Sequence, residues 1–387
     1  MIGSKRIRLM EKKQYFESTW KTDNTSAGSS NNNQVKLPLE STGTYNCIVY
    51  WGDGTSDYIT AYDQAEVTHT YNSIGTYQIY IEGQCEGFRF NNTGDKLKLL
   101  DISKWGNEDF RFGNTGHVFH GCSNLDITAT DDTLYTITQD LTNMDTFFAN
   151  CSNLSSIDLT NFNTSNVTTM SLAFYGCSKF NRSVSNFNTS NVTNMMYMFY
   201  NCIIFNQSIS NFDTSNVTSM NRMFYNCQMF NQSVSNFNTS NVTDMNRMFH
   251  YCQIFDQLLS NFDTSEVTDM NNMFSNCQLF NQSLSNFDTN KVTDMGSMLY
   301  NCYAFNQDLS GFNIESVTDV TDILSGATSW STANYDAFLI EIAANQNVVD
   351  GLTFTCSSYY TLGGDAAAAR ANLISTDNWT INDLGGV

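Results

Sequence analysis

The sequence predicts an α/β repeat solenoid, with a short strand plus a short helix in each rung, set between an N-terminal β-sandwich-like domain and an α/β C-terminal cap. Three patterns carry that expectation. A 25-residue period runs without insertion from about Asn161 to Gly311, the signature of a stacked repeat architecture. Within each period, apolar residues recur at the i, i+3, i+4, i+7 spacing of a short amphipathic helix. Ahead of the repeats, apolar and polar residues alternate as they do in half-buried strands.

At 387 residues and 41% hydrophobic content the chain is long enough for two or more cores,. Only 14% of residues are charged and one proline is present, so Asn, Ser and Thr carry most of the polar surface. With 18 basic against 38 acidic residues the net charge is −20, which repels a phosphate backbone and argues against nucleic-acid binding. No stretch approaches the roughly 18 apolar residues that span a bilayer, so membrane insertion is not expected. The segment from Met1 to Thr19 lacks the apolar core of a signal peptide,, and Sec-dependent export is not expected from it.

Residues 1–14 form a basic arm. Lys5, Arg6, Arg8, Lys12 and Lys13 are five of the 18 basic residues; such an arm is disordered when free, and these five are the candidate partner-docking residues. Residues 15–109 read as a β domain. Tyr45, Cys47, Val49 and Trp51 alternate with polar neighbours, as do Tyr77, Ile79 and Ile81,. The turn Trp51-Gly-Asp-Gly-Thr55 and the segments His69-Thr-Tyr71 and Gly75-Thr-Tyr77 punctuate the strands,. Asp53 could hold calcium, but its place in a tight turn makes it a turn former.

Residues 110–327 carry the repeats. Val167, Val192, Val217, Val242, Val267, Val292 and Val317 mark one column, and Phe162, Phe187, Phe212, Phe237, Phe262, Phe287 and Phe312 a second; irregular units precede them around Cys122 and Cys151. Met245, Met248, Phe249 and Cys252 form the helix stripe of one unit, with Thr243 and Asp244 as its N-cap candidates,. The segment Phe230 to Phe237 suits a short strand and turn. No unit can bury its apolar face alone, so stacking and terminal caps are obligatory. Eight rungs about 4.8 Å apart make a rod on the order of 40 Å long.

The polar columns read as scaffold. Asn186, Asn211, Asn236, Asn261 and Asn286, with Thr189, Thr214, Thr239, Thr264 and Thr289, are expected to stack as hydrogen-bonded ladders,. Asn166, Asn191, Asn216 and Asn241 each begin an Asn-Val-Thr sequon,, and the ladder reading covers them too. Cys151, Cys177, Cys202, Cys227, Cys252, Cys277 and Cys302 recur once per unit and read as buried free thiols, with pairing between neighbours left open. No Cys or His cluster has metal-ligand spacing. Residues 328–387 form the cap, with helices from Ser331 to Ala344 and Asp365 to Leu373, and strands at Gly351 to Cys356 and Trp379 to Ile381,.

The run from Asn211 through Phe212, Val217, Met220, Met223 and Phe224 to Cys227 resembles the BspA-like leucine-rich repeat of bacterial surface proteins and mycoplasma lipoproteins. The likeness covers about residues 110 to 325 and makes the predicted solenoid one of leucine-rich-repeat type. Tyr45 to Gly83 is similar to a PKD-type, Ig-like sandwich, and Ser331 to Asp383 resembles the tail that often follows these repeats. The resemblance implies an adhesin-like role, binding host-cell or matrix components, and brings no catalytic residues. Exported members carry a signal peptide and often a lipid or sorting anchor, which this sequence does not show. Similar repeat chains occur in marine phage genomes, where lysis releases the protein, and the reading adopted is a phage fibre or head-decoration protein that mediates attachment. A bacterial cell-surface adhesin is the alternative.

Three functions are compatible with these features. In a binding protein, the column Tyr175, Tyr200, Tyr225, His250 and Tyr300 is the candidate ligand surface, because tyrosine joins a large apolar body to a polar tip; the plainer reading is that these rings only stack. In a structural protein, the arm or the sandwich docks to a virion. In a polysaccharide-degrading spike enzyme, two carboxylates would share a cleft, whereas Asp244, Asp269, Asp294 and Asp319 recur at one repeat position, a scaffold pattern. No cofactor is expected; calcium between those aspartates is set against solvated helix caps. The expected partners are a protein or glycan on a cell surface and other virion proteins, with a homo-oligomer left open. The expected location is a virion surface or an extracellular, cell-surface one.

Overall fold

A computed structural model describes residues 14–106, 108–345 and 347–387. The docking candidates Lys5, Arg6, Arg8, Lys12 and Lys13 lie outside the described residues.

Alternation builds N-terminal strands, but instead of the expected β-sandwich they form one seven-stranded mixed sheet and a separate two-stranded pair, because late strands add to the same sheet rather than to a second layer. The large sheet's strands are β1 (Phe16–Lys21), β3 (Leu39–Tyr50), β4 (Ser56–Ile59), β6 (Thr76–Phe88), β7 (Leu99–Lys104), β8 (Phe110–Arg111) and β9 (Asp126–Ile127); β2 (Gln34–Lys36) and β5 (Thr68–Thr70) pair separately. The order is β4-β3-β6-β1-β7-β9, with β8 also on β6. The long pairs are antiparallel, but β8 and β9 join in parallel, so the sheet is mixed and runs through the expected boundary at residue 109. At the Trp51–Thr55 turn, Gly52 adopts φ +80, and a Cβ there would sit 2.3 Å from the Gln78 carbonyl oxygen. Asp53 accepts from the Thr55 amide at 3.0 Å and meets His69 Nε2 at 2.9 Å. Burial pushes its carboxyl up, but the bonds from Thr55 and His69 outweigh this and bring it down to about 2. Asp53 is a turn former.

One buried ion pair pins the loop ahead of β2. Lys98 and Asp95 have fully buried side chains 3.3 Å apart. Lys98 Nζ also donates to the carbonyls of Ser30, Asn31 and Gln34, while Asp95 accepts from the Ser30 and Lys36 amides. Such a pair is tolerable in a core because every donor and acceptor is used.

The predicted solenoid of leucine-rich-repeat type, with a strand and a helix per rung, does not form. The α-helices among the described residues are α1 (Leu134–Thr138), α2 (Thr332–Ala344) and α3 (Asp365–Ser375). Residues 142–327 contain neither helix nor strand. They are a succession of tight turns, linked to one another by single parallel bridges at Asn143, Thr169, Asn194, Ser219, Asp244, Asp269, Asp294 and Asp319.

The reason lies in the backbone. Where the apolar spacing predicts a helix, Arg247 and Tyr251 have φ +54 and +59, the left-handed region that an α-helix of L-residues excludes. The amides then alternate in direction. Met248, His250 and Cys252 bond back three residues, to Met245, Arg247 and Phe249. Met245, Arg247, Phe249 and Tyr251 instead bond outward, to Asp269, Asn271, Met273 and Ser275 of the following turn segment, at 2.8–3.1 Å. Met245, Met248, Phe249 and Cys252 are still fully buried, so the stripe identifies the inward residues while a different backbone delivers them. The segment Phe230 to Phe237 is likewise turns, closed by Phe237 N to Val234 O at 3.0 Å.

Two phenylalanine columns fill the interior. Phe174, Phe199, Phe224, Phe249 and Phe274 stack with centroids 5.6–5.8 Å apart. Phe180, Phe205, Phe230, Phe255, Phe280 and Phe305 stack beside them at 5.8–6.1 Å. Each ring contributes about 1.5–3 kcal/mol by leaving water. The Asn and Thr ladders join successive turns: Asn211 Nδ2 reaches the Phe187 carbonyl at 2.7 Å and Thr214 Oγ1 the Asn238 carbonyl at 2.8 Å. The stack is closed by the cap, where β10 (Thr353–Thr355) and β11 (Thr380–Asn382) pair in parallel and Leu324 N bonds to the Thr355 carbonyl at 3.3 Å.

All eleven cysteines are buried and free. In the stack each thiol donates to a phenylalanine carbonyl of the preceding turn segment, as Cys202 does to Phe174 and Cys227 to Phe199, both at 3.0 Å. Burial pushes these thiols far above the usual range, which suppresses the reactive thiolate. In the native protein Cys151, Cys177, Cys202, Cys227, Cys252, Cys277 and Cys302 should therefore stay unmodified by a thiol-specific disulfide reagent, as mapped by peptide mass spectrometry, and all be released in denaturant. Fast reaction at any one of these seven would show that the stack opens.

Candidate functional site

Four of the five candidate aromatic residues form one continuous stack. Tyr175 and Tyr200 have centroids 4.6 Å apart, Tyr200 and Tyr225 4.4 Å, each pair tilted by 8°. His250 continues the row 4.8 Å from Tyr225. Tyr300 stands apart, because Ser275 occupies the intervening position of the column and is itself buried. The row is held by the backbone: the carbonyls of Tyr200, Tyr225 and His250 accept from Gly176, Asn201 and Asn226 at 2.7–2.8 Å. Burial and the flanking phenols push the Tyr200 hydroxyl up to about 12. Since the ring faces are spent on one another, the row offers ring edges and hydroxyls to a partner, and no open stacking platform.

Residues the spacing argument did not single out crowd the same place. Arg222 lies 5.2 Å over the Tyr197 ring, which is 5.5 Å from Tyr200. Arg247 occupies the equivalent position one unit on. Tyr251 meets His250 edge-on at 4.5 Å and is 39% exposed. Its position is a left-handed one, filled elsewhere by Asn150, Gly176, Asn201, Asn226, Asn276, Asn301 and Gly326, residues that tolerate that conformation. Tyr251 is the exception in a column of Asn and Gly, and that irregularity was present in the sequence.

The aspartate column caps turns, correcting the helix N-cap reading. Asp244, Asp269, Asp294 and Asp319 each accept from the amide two residues on at 2.8 Å, and Asn221 donates to Asp244 at 2.8 Å. Among the described residues no group of three acidic, His or Cys side chains could hold a metal ion. A surface cleft of about 420 Å³ contains one carboxylate, Asp158, which the Thr160 amide and hydroxyl engage at 2.9 and 2.6 Å. No helix among the described residues is long and apolar enough to cross a membrane.

The chain matches the family described as Mycoplasma protein of unknown function, DUF285, over residues 142–257 and again over 231–338. No match is found among curated proteins or among solved structures.

Two variants test this geometry. Burial, together with Asp244 and Asp294, raises the Asp269 carboxyl above its usual value. What that carboxyl contributes to stability is fully present below the unfolded value of about 3.9 and is lost as pH rises through the folded one. Asp269→Asn should accordingly be more stable than the parent at pH 7, with the advantage shrinking on acidification in urea titrations. Tyr251→Asn exchanges an edge contact for a relaxed backbone, and its unfolding free energy should be unchanged or higher by up to about 1 kcal/mol. A clear loss of stability would remove the backbone-strain argument.

Proposed function

The chain belongs to the DUF285 family, whose match runs from residue 142 to residue 338, about half of the 387 residues, and from that membership we propose a non-enzymatic, surface-exposed binding protein with an adhesin-like role. The observation that supports this reading is the aromatic row: three tyrosines and a histidine at 4.4–4.8 Å spacing on a backbone-bonded frame. A rigid row of amphipathic rings loses little entropy when a partner docks. In this reading the repeats are of the BspA-like type, the N-terminal region is a PKD-like domain, and the partner is a protein or glycan on a cell surface.

The protein so read is a virion fibre or decoration. A cell-surface placement is the second reading, since the family description names a cellular organism and not a virus. Antibody labelling and mass spectrometry of purified virions and of intact cells separate the two. The row itself is tested by the triple variant Tyr175→Phe, Tyr200→Phe, Tyr225→Phe, which keeps the stack and removes the hydroxyls. With each partner-bonded hydroxyl contributing about 0.5–1.5 kcal/mol, attachment to target cells should fall roughly tenfold or more while thermal stability is little changed. Undiminished attachment would sink the aromatic row as the binding surface.

A further inference from the structure

We propose that Arg222, Arg247, His250 and Tyr251 form a binding site for the acidic group and adjoining hydroxyls of an anionic polysaccharide. The inference rests on the aromatic row being a binding surface and names the chemistry it takes.

Charge distribution is the first support. The stack from 142 to 327 contains only Lys179, Arg182, Arg222, Arg247 and Lys291 as basic residues, in a chain of net charge −20. Two of the five occupy the same position in consecutive units, beside the aromatic row. Their backbones are fixed, with Arg222 N bonded to the Asn246 carbonyl at 2.9 Å and Arg247 N to the Asn271 carbonyl at 3.0 Å. Neither side chain is ion-paired with a described residue. Arg222 Nη1 donates to Asn221 and to the Tyr197 hydroxyl, and Arg247 Nη1 to Asn246. Each guanidinium is engaged at Nη1 only, leaving the paired N–H groups that grip a carboxylate or sulfate.

His250 is the second support. Only 8% of it is exposed, yet its Nδ1 has no hydrogen-bond partner. A buried polar atom without a partner is costly and marks a place where a ligand or a water belongs. Burial, then the charges of Arg247 and Arg222, bring the imidazole down to about 4, and the ring also bonds the backbone at Asn272. At neutral pH the imidazole is therefore uncharged beside two cationic donors. Tyr251 is the third support: a bulky ring 39% exposed, standing in a column otherwise of Asn and Gly and 4.5 Å from His250. Two donor forks, one unpartnered imidazole nitrogen and one exposed ring together match a sugar that bears an anion and a neighbouring hydroxyl. The acidic body repels polyanions at long range, so the attraction is short-ranged and should persist at about 0.15 M salt, where the Debye length is about 8 Å.

The test is affinity electrophoresis of the full chain through gels containing polygalacturonate, dextran sulfate or neutral dextran. Retardation by an anionic polymer and not by neutral dextran is expected, and the polymer that retards identifies carboxylate or sulfate as the anion. Arg222→Gln with Arg247→Gln should weaken retardation at least tenfold and His250→Phe severalfold. Tyr251→Asn should weaken it without lowering the melting temperature, which separates lost recognition from lost folding. Retardation that survives the double arginine variant places the binding on other basic residues and overturns the proposal, as does equal retardation by neutral dextran. If attachment to cells depends on the tyrosine hydroxyls but no polymer retards the wild-type chain, the aromatic binding surface stands and this site falls. If neither is seen, both fall.

Discussion

In the segment that leads to the cysteine of each regular unit, every second amide leaves its own segment and bonds to a carbonyl 24 residues further on: Arg222 to Asn246, Phe224 to Met248, Asn226 to His250. The intervening amides close three-residue turns. This division of the backbone bonds is what the rest of the structure depends on. It satisfies groups that could not be buried unpaired, and it forces equivalent residues into straight columns. A net gain of roughly 0.5–1.5 kcal/mol per bond is small singly, but the same three or four bonds recur along the stack.

Column formation then decides chemistry. Inward columns become phenylalanine stacks and a file of thiols whose hydrogens are spent on neighbouring carbonyls. Outward columns become Asx turns and amide ladders: Asn166, Asn191, Asn216 and Asn241 donate their side-chain nitrogens to backbone carbonyls of Gln139, Ser165, Ser190 and Ser215. Such columns are scaffold because they are uniform. Where a column changes residue, from Asn to Tyr251 or from Tyr to His250, uniformity no longer explains it, and the arginine pair lies at that same stretch.

How much was legible follows the same division. The inward residues, the free thiols, the turn role of Asp53 and the ladders could be read from spacing, because burial and local side-chain bonding are properties of single positions. The rung's helix could not. Met245, Met248, Phe249 and Cys252 have helix spacing, yet turns of three residues separated by left-handed corners present the same residues inward. The recurrent Asn or Gly at the Tyr251 position was the discriminating signal, and it pointed to a left-handed turn within each unit.

Sequence alone determined the period, the core composition and the acidic, neutral-polar surface, since these follow from residue identity and interval. Only the tertiary structure decided which backbone bonds stay local and which cross between units, because the two choices bury the same side chains and differ in partners far along the chain. For the same reason it alone brought Arg222 near Arg247, His250 and Tyr251: these lie 25 to 29 residues further along the chain and become neighbours only when backbone bonds join consecutive units. The continuation of the sheet through residue 109 to β9 was also decided there, by parallel pairing that no local pattern of one or two residues can announce.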